Sequence, residues 1–326
     1  MGQPKQEESW ENDVKETVAL LRSRVNEVEE YSLLRKKRYA NPSGYLPYEK
    51  AIEWSCASLL ACQITFSAVS SLDFVSRVAT YVVKRVAKEH APAFWLTHDL
   101  QSALLQTSIP ENVTGMKRVI PCGMLFLPSD SGLISPDGEP VQTIFFSHLL
   151  KGEEPNYTLA GQKLVMHMES DCVQWGTVMA SGTLYAANLG VDQDKGLDLG
   201  TNDYSGMVKA EVNTSEEDKF LQQVGSLVLQ VLLILQTRPD LVLEATPLGF
   251  GGTRKQGGRK DQEALLRPRW IGKTYKIKRE RSIEPMGTHS SPRTHWRRGH
   301  YKRVPVGERS KGEMKWVWIE PTLVNA

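Results

Sequence analysis

The sequence predicts an α+β fold: a helical N-terminal third, a central antiparallel or mixed sheet with a buried helix, and a basic C-terminal segment ending in a strand. Three observations support this prediction. Up to residue 107 apolar residues recur every three or four positions, which is typical of helices with one buried face. From residue 119 short apolar and β-branched runs alternate with turn residues. One later segment is apolar on nearly every side, as a core helix is.

The first third contains four segments with helical periodicity. Proline ends two of them, since Pro42 follows the first and Pro92 the third, and proline cannot continue a helix. Basic residues close the first segment, where cations complement the helix C-terminus. We predict helices at Trp10–Tyr39, Tyr48–Ser71, Asp73–His90 and Thr97–Thr107.

The middle of the chain reads as strands. Pro136-Asp137-Gly138 supplies turn chemistry between the first two runs, which indicates that the chain reverses there. Gly182 interrupts the last run and predicts a bend or bulge. The predicted strands are Val119–Leu127, Gln142–Leu149, Lys163–Glu169 and Trp175–Leu189.

Two further elements complete the fold. Thr214-Ser215-Glu216-Glu217 has the form of a capping box, and it opens a helix that is apolar on nearly all sides from Phe220 to Leu235. A helix of this kind belongs in a core, so we place it across the sheet. The last strand, Lys315–Glu320, carries apolar residues on both faces and is expected to be covered on both sides.

The charge is distributed unevenly along the 326 residues. The net charge is only +2, but residues 251–326 hold 19 Lys and Arg against 7 Asp and Glu, a net of +12, which leaves a net of −10 before them. Such a split indicates contact of the tail with a polyanion or its docking on the acidic body. We divide the chain into a helical region (1–115), a sheet-plus-helix core (116–248), a flexible basic linker or loop (249–262) and a basic C-terminal segment (263–326).

Composition and motifs exclude several classes. With 40% hydrophobic and 24% charged residues the chain is an ordinary globular protein, and its polar, acidic first residues are unlike a signal peptide, so we expect a cytoplasmic location and no membrane contact. Its four cysteines are too few for a disulfide framework. The sequence has no phosphate-loop ending, nucleophile elbow or zinc-helix motif, so it predicts no cofactor and no metal. The oligomeric state stays open.

One short stretch concentrates groups that bind nucleic acid. Met286–Val304 holds three of the seven histidines, five of the forty basic residues and two aromatic residues. Arginine forks and lysine bind phosphate, and tryptophan stacks on bases. The predicted RNA-binding residues are Arg293, His295, Trp296, Arg297, Arg298, His300, Lys302 and Arg303.

Two other interpretations of this stretch remain open. In the first, the chain is a metal-independent ribonuclease, with His295 and His300 as acid and base and with Arg297 or Arg298 on the phosphate. In the second, the tail is a structural clamp that ion pairs and cation–π contacts around Trp296 hold on the acidic body of a protein-interaction module.

The same residues carry a resemblance to a known family. The stretches His289–His300 and Trp316–Val324 resemble the C-terminal signature of a broad group of phage, plasmid and bacterial proteins. That group includes the second member of the AcrVA series of anti-CRISPR proteins, which inhibit the type V-A effector nuclease. The resemblance covers about a fifth of the chain.

The resemblance implies a function at the level of protein production. In that anti-CRISPR member the nascent N-terminus of the nuclease is recognised and its messenger RNA is lost, and its relatives need not share this target. The resemblance therefore implies an adaptor of mobile-element type, in which the basic tail faces RNA or the ribosome and a cleft in the body holds a peptide of the target protein. It does not identify that peptide or transcript.

Overall fold

The computed structural model has an α+β fold, as the sequence predicts. It describes residues 15, 16, 19, 23, 42–47, 50–55, 73–89, 91–109, 116–159, 162–192, 196–198, 215–244, 269–280, 294–306 and 314–324. The three longer helices in these ranges are α1 (Asp73–Lys88), α2 (His98–Leu105) and α3 (Ser215–Thr237).

Sixteen strands occur in the same ranges. The strands of the first half are β1 (Ala93–Leu96), β2 (Thr107–Ser108), β3 (Cys122–Phe126), β4 (Thr143–Leu149), β5 (Asn156–Leu159), β6 (Gln162–Val165), β7 (Asp171–Val178), β8 (Leu184–Asp192) and β9 (Gly196–Asp198). Those of the second half are β10 (Val242–Glu244), β11 (Arg269–Ile271), β12 (Lys278–Glu280), β13 (His295–Arg297), β14 (Gly299–Pro305), β15 (Met314–Ile319) and β16 (Thr322–Val324).

Eight of these strands form one central mixed sheet in the order β10-β11-β1-β3-β4-β7-β8-β9. Strands β3, β4, β7, β8 and β9 form an antiparallel meander, whereas β1 runs parallel to both β3 and β11. Strand β11 comes from the basic C-terminal segment. One sheet therefore joins strands from the helical region, the core and the tail.

Helices cover both faces of this sheet. Helix α1 packs on one face, where Val78, Val82 and Val86 share a core with Met124 and Phe145. Helices α2 and α3 pack on the other face, against the alternate residues of the same strands. Because both faces are covered, β3, β4 and β7 are buried along their whole length.

Helix α3 lies across the sheet, as predicted, and it is buried on more than one side. Its sheet-facing residues include Val224 and Val228, and aromatic residues of the C-terminal segment join the same core from the opposite side. By length and composition alone Glu216–Thr237 could span a membrane, but 67% of its apolar window is buried inside the protein. The helix is thus a core helix with protein on both sides.

In the described part of the N-terminal third, one element differs from the prediction. Residues 15, 16, 19, 23 and 50–55 are helical, and α1 and α2 lie where the third and fourth helices were predicted. Between α1 and α2, however, the chain forms the buried strand β1. The remainder of the first two predicted helices and the predicted linker 249–262 lie outside the described residues.

The predicted strands are present with shifted bounds. Gly182, at φ +92°, lies in a tight turn that divides the predicted strand Trp175–Leu189 into β7 and β8, because its backbone reverses the chain rather than bulging it. Strand β6 ends at Val165, short of the predicted Glu169. Gly138, at φ +83°, closes the predicted turn before β4, with its N–H donating to Ser135 O at 2.9 Å.

A buried histidine makes the fold sensitive to acid. His148 in β4 is 1% exposed, and neither ring nitrogen has a hydrogen-bond partner within the described ranges. Burial lowers its pKa to about 4, although Asp171 and Glu153 partly oppose this effect; Arg118 and Arg85 reinforce it. An unfolded histidine has a pKa of about 6.5. Between those two values the unfolded chain binds a proton that the folded chain does not.

We therefore expect the free energy of unfolding to fall as the pH falls from 6.5 towards 4. The contribution of His148 is about 2 kcal/mol between pH 7.5 and pH 5. Replacement of His148 by Leu removes this contribution, so urea unfolding at the two pH values should differ less for the variant. An equal pH dependence in both proteins would contradict the assignment.

Two glycines of the central sheet make a matched pair for testing its packing. A Cβ at Gly123 would lie 2.6 Å from Cζ of the buried Phe146, whereas a Cβ at Gly176 would meet Ala79 at 3.6 Å, an ordinary contact. We expect Gly123→Ala to lower the free energy of unfolding by about 1–3 kcal/mol through overpacking. Gly176→Ala should be neutral or slightly stabilising in the same urea titration.

Candidate nucleic-acid-binding surface

The described part of the predicted basic cluster lies on two small sheets, one formed by the C-terminal segment alone and one to which β2 of the helical region contributes a strand. One has the order β15-β14-β2 and the other the order β12-β16-β13. Strands β14 and β15 form an antiparallel ribbon, in which His300, Lys302 and Val304 lie opposite Ile319, Val317 and Lys315. We call β14 and β15 the basic ribbon.

The inner face of the basic ribbon docks on helix α3 and its surroundings. Tyr301 is buried, and its hydroxyl donates to the carbonyl oxygen of Gln230 in α3 at 3.4 Å. Burial raises the pKa of that hydroxyl above its usual range. Trp318 is also buried; its Nε1 donates to Oγ1 of Thr107 at 3.3 Å, and its ring lies 5.5 Å from that of Tyr275. These contacts fix the orientation of the ribbon.

Gly299 begins the basic ribbon at its closest approach to the body. Its N–H donates to the carbonyl oxygen of Gln106 at 3.0 Å, and its own carbonyl accepts from Oγ of Ser108 at 3.1 Å. A Cβ at this position would lie 2.6 Å from Oγ1 of Thr107 and 2.9 Å from the carbonyl oxygen of Ile319. Only glycine fits here without displacement of backbone.

Ion pairs add to the docking through a residue that the sequence did not single out. Glu320 follows β15 and accepts from Arg238, which follows α3, and from Lys278 Nζ at 3.1 Å. Hydrogen bonds to Asp240 and Glu320 raise the pKa of the Arg238 guanidinium. The Arg238–Glu320 pair joins a cation of the body to a carboxylate of the tail. The clamp interpretation expects the opposite arrangement, with cations of the tail on carboxylates of the body.

The outer side of the ribbon is where the predicted cations are exposed. His300 and Lys302 project from β14 on the face opposite Tyr301, and Arg298 precedes the strand; all three side chains are exposed. No acidic residue in the described part of the chain forms an ion pair with Arg298 or Lys302. Arg298 and Lys302 therefore place two exposed cations on this side, together with the exposed imidazole of His300.

The other predicted residues have partners within the protein. Arg297 is exposed, but its Nη1 lies 3.2 Å from Oε2 of Glu280 across β16. Arg303 Cζ lies 6.0 Å from the ring centroid of the buried Trp316, a cation–π contact. Trp296 is half-buried beside Leu323, and the exposed His295 also has an interaction in the fold. Arg293 lies outside the described residues.

The structure places the two histidines of the ribonuclease interpretation in different sheets. His295 belongs to the β12-β16-β13 sheet and His300 to the β15-β14-β2 sheet, and no described contact joins the two imidazoles. Arg297 is paired with Glu280. An acid, a base and a phosphate-binding group must surround one reacting atom, and the ribonuclease interpretation stays a prediction.

Several residues that position this surface were missed by sequence reasoning. Tyr301, Trp316 and Trp318 anchor the ribbon, and their signal was the alternation of an aromatic with basic residues in β14 and of two aromatics with apolar residues in β15. The expected cover on both faces of the last strand holds fully for the Trp316 and Trp318 face, whereas Val317 and Ile319 are half-buried. Arg238 and Glu320 had no signal, because their pairing depends on tertiary contact.

Comparison with protein families matches this chain to a family of anti-CRISPR proteins of type V. The matching model is described as AcrVA2-like, anti-CRISPR type V subtype A2, and the match covers residues 94–326. The chain therefore belongs to the AcrVA2-like family. The matched region begins in β1 and includes the central sheet, α3 and the basic ribbon. No curated protein matches the sequence.

The docking of the ribbon can be tested at its starting glycine. We expect Gly299→Ala to weaken the contact with Thr107 and Ile319 by about 1–3 kcal/mol, because the added methyl group has no free space. Hydrogen exchange of the β14 and β15 amides should become faster. Gly190→Ala in β8 is the control, since a Cβ there meets nothing within 4 Å. Equal exchange in both variants would refute this account of the docking.

Proposed function

We propose that this protein is a cytoplasmic regulatory adaptor that lowers the production of a target protein, contacting RNA or the ribosome through the outer side of its basic ribbon. The observation that carries the proposal is the exposed group of Arg298, His300 and Lys302 on a segment whose inner face is anchored to the body. Cations held on a rigid strand bind phosphate without first losing the freedom of a flexible tail.

Membership of the AcrVA2-like family supports the biological part of this proposal. In this proposal, the adaptor recognises the nascent N-terminal peptide of its target and causes loss of the messenger RNA that encodes that target. The cationic surface keeps the protein on the RNA or ribosome while the peptide is read elsewhere on the body. The target peptide sets the specificity, and the basic surface supplies affinity that does not depend on sequence.

Charge reversal on the ribbon tests the RNA contact. The double variant Arg298→Glu, Lys302→Glu should bind a fluorescent single-stranded RNA at least about tenfold more weakly at low salt, since two phosphate contacts become repulsive. The slope of log affinity against log salt should fall in magnitude by about 1.4, at about 0.7 per contact. Co-sedimentation with ribosomes measures whether the same double variant also weakens ribosome binding.

A control with the same change in charge separates this surface from net charge. Lys88→Glu, Lys151→Glu alters two exposed lysines, at the end of α1 and in the turn after β4, by the same four units. It should retain nearly all of the RNA and ribosome binding. If both double variants lose binding equally, or if neither does, the ribbon is not the binding surface.

A further inference from the structure

A groove runs between helix α3 and the chain that follows helix α2. It encloses about 410 Å³, within the range of about 300–1,000 Å³ that is usual for ligand sites. Three residues from the α2 side form one wall, and one face of α3 forms the other. The lining residues are Leu105, Thr107, Ile109, Lys219, Gln222, Gln223, Ser226 and Gln230.

The α3 wall is a polar stripe on a helix that is otherwise apolar from Phe220 to Leu235, and the first turn of the helix carries Glu216, Glu217 and Asp218. Its five residues follow the spacing of a single helical face over eleven positions, from Lys219 to Gln230, which corresponds to a length of about 16 Å. Neighbouring residues such as Phe220, Val224 and Leu227 are buried. Lys219, Gln222 and Gln223 are exposed and Ser226 is half-buried, whereas Gln230 is buried and accepts from Tyr301 of the basic ribbon through its backbone; all five line the groove.

A buried amide at one end of the stripe needs a hydrogen-bond donor. Gln230 is 2% exposed, and its Oε1 has no hydrogen-bond partner within the described ranges. A buried acceptor without a donor is unfavourable, and a ligand N–H or O–H in the groove would satisfy it. The backbone of Gln230 already accepts from Tyr301, so this end of the groove is rigid.

The rest of the groove has a different chemistry at each position. Gln222 and Gln223 are exposed and offer both donors and acceptors, and Lys219 places a cation at the open end. Leu105 is 38% exposed and Ile109 is half-buried, so this wall adds apolar surface to the groove. The groove therefore combines an acceptor without a partner among the described residues, an apolar surface and one cation.

We propose that this groove binds an extended polypeptide of about five residues. At about 3.3 Å per residue, five residues span its 16 Å. A side chain that donates a hydrogen bond would meet Gln230, apolar side chains would pack on Leu105 and Ile109, and an acidic side chain would pair with Lys219. This inference rests on the proposed function, because it gives the peptide-reading step a site and a ligand chemistry.

The lining favours a peptide over a nucleic acid. Sites for single-stranded nucleic acid combine several cations with aromatic rings on which bases stack. Among the described residues that line this groove, Lys219 is the one cation, and none has an aromatic ring. Three glutamine side chains instead match the alternating donors and acceptors of an extended peptide backbone.

Immobilised pentapeptides test the proposal with the full-length protein. One set carries Asp or Glu at one end, apolar residues in the middle and Asn or Gln at the other end, in both chain directions; a second set has Lys in place of the acidic residue. We expect the protein to be retained at least tenfold better on the first set. Lys219→Glu should invert that preference, since it reverses the charge at the open end of the groove.

Two further variants make the test specific. Gln230→Leu keeps the volume of the side chain but removes the acceptor, so it should reduce retention and abolish the preference for Asn or Gln over Leu at that end. Lys151→Glu makes the same change in charge outside the groove and should leave retention unchanged. Urea unfolding of each variant verifies that the fold is intact.

The results separate this proposal from the proposed function. Equal retention on the two sets, or a preference that Lys219→Glu does not alter, would overturn the groove proposal. It would also be overturned if an RNA competed with the peptides for the groove and Gln230→Leu removed that competition. RNA binding by the basic ribbon would stand in the first two cases. Conversely, a charge-dependent peptide preference without RNA binding would support the groove and refute the ribbon contact.

Discussion

Burial of helix α3 is the constraint on which the other features depend. Because its apolar residues point in nearly every direction, one sheet face cannot remove them all from water. The opposite side of the helix needs a second apolar surface, and Tyr301, Trp316 and Trp318 of the basic ribbon supply it. The aromatic residues of the tail are therefore part of the core, although the segment as a whole is strongly basic.

This constraint also explains where the cations lie. Successive side chains of a strand point to opposite faces, so a ribbon with Tyr301 turned inward places His300 and Lys302 outward. The same alternation links the buried face of the ribbon to its exposed face, because the burial of the aromatic side chains determines which basic side chains face solvent. The polar stripe of α3, left between the sheet and the ribbon, forms the groove for the same geometric reason.

The sequence predicted those features that arise from local periodicity. Helix α3, the turn at Gly138 and the apolar runs of β3 and β4 all have patterns confined to one segment. Strand β1 was missed because four apolar residues between two helices carry too little pattern to separate strand from loop. The contacts of Gly299 with Thr107 and of Glu320 with Arg238 join residues far apart in the chain, and no local signal encodes them.

The position of β11 has a consequence for the order in which the molecule folds. This strand comes from the tail, yet it lies between β1 and β10 inside the central sheet, and the nearby hydrogen bond from Thr97 to Gly272 spans 175 positions. Pairing of strands so far apart in the sequence is slow, because the long loop between them must close before any stabilising contact forms. During synthesis β1 and α3 emerge well before their partners, so the protein acquires its native core, and with it the outward-facing cations, only after the C-terminal strands have left the ribosome.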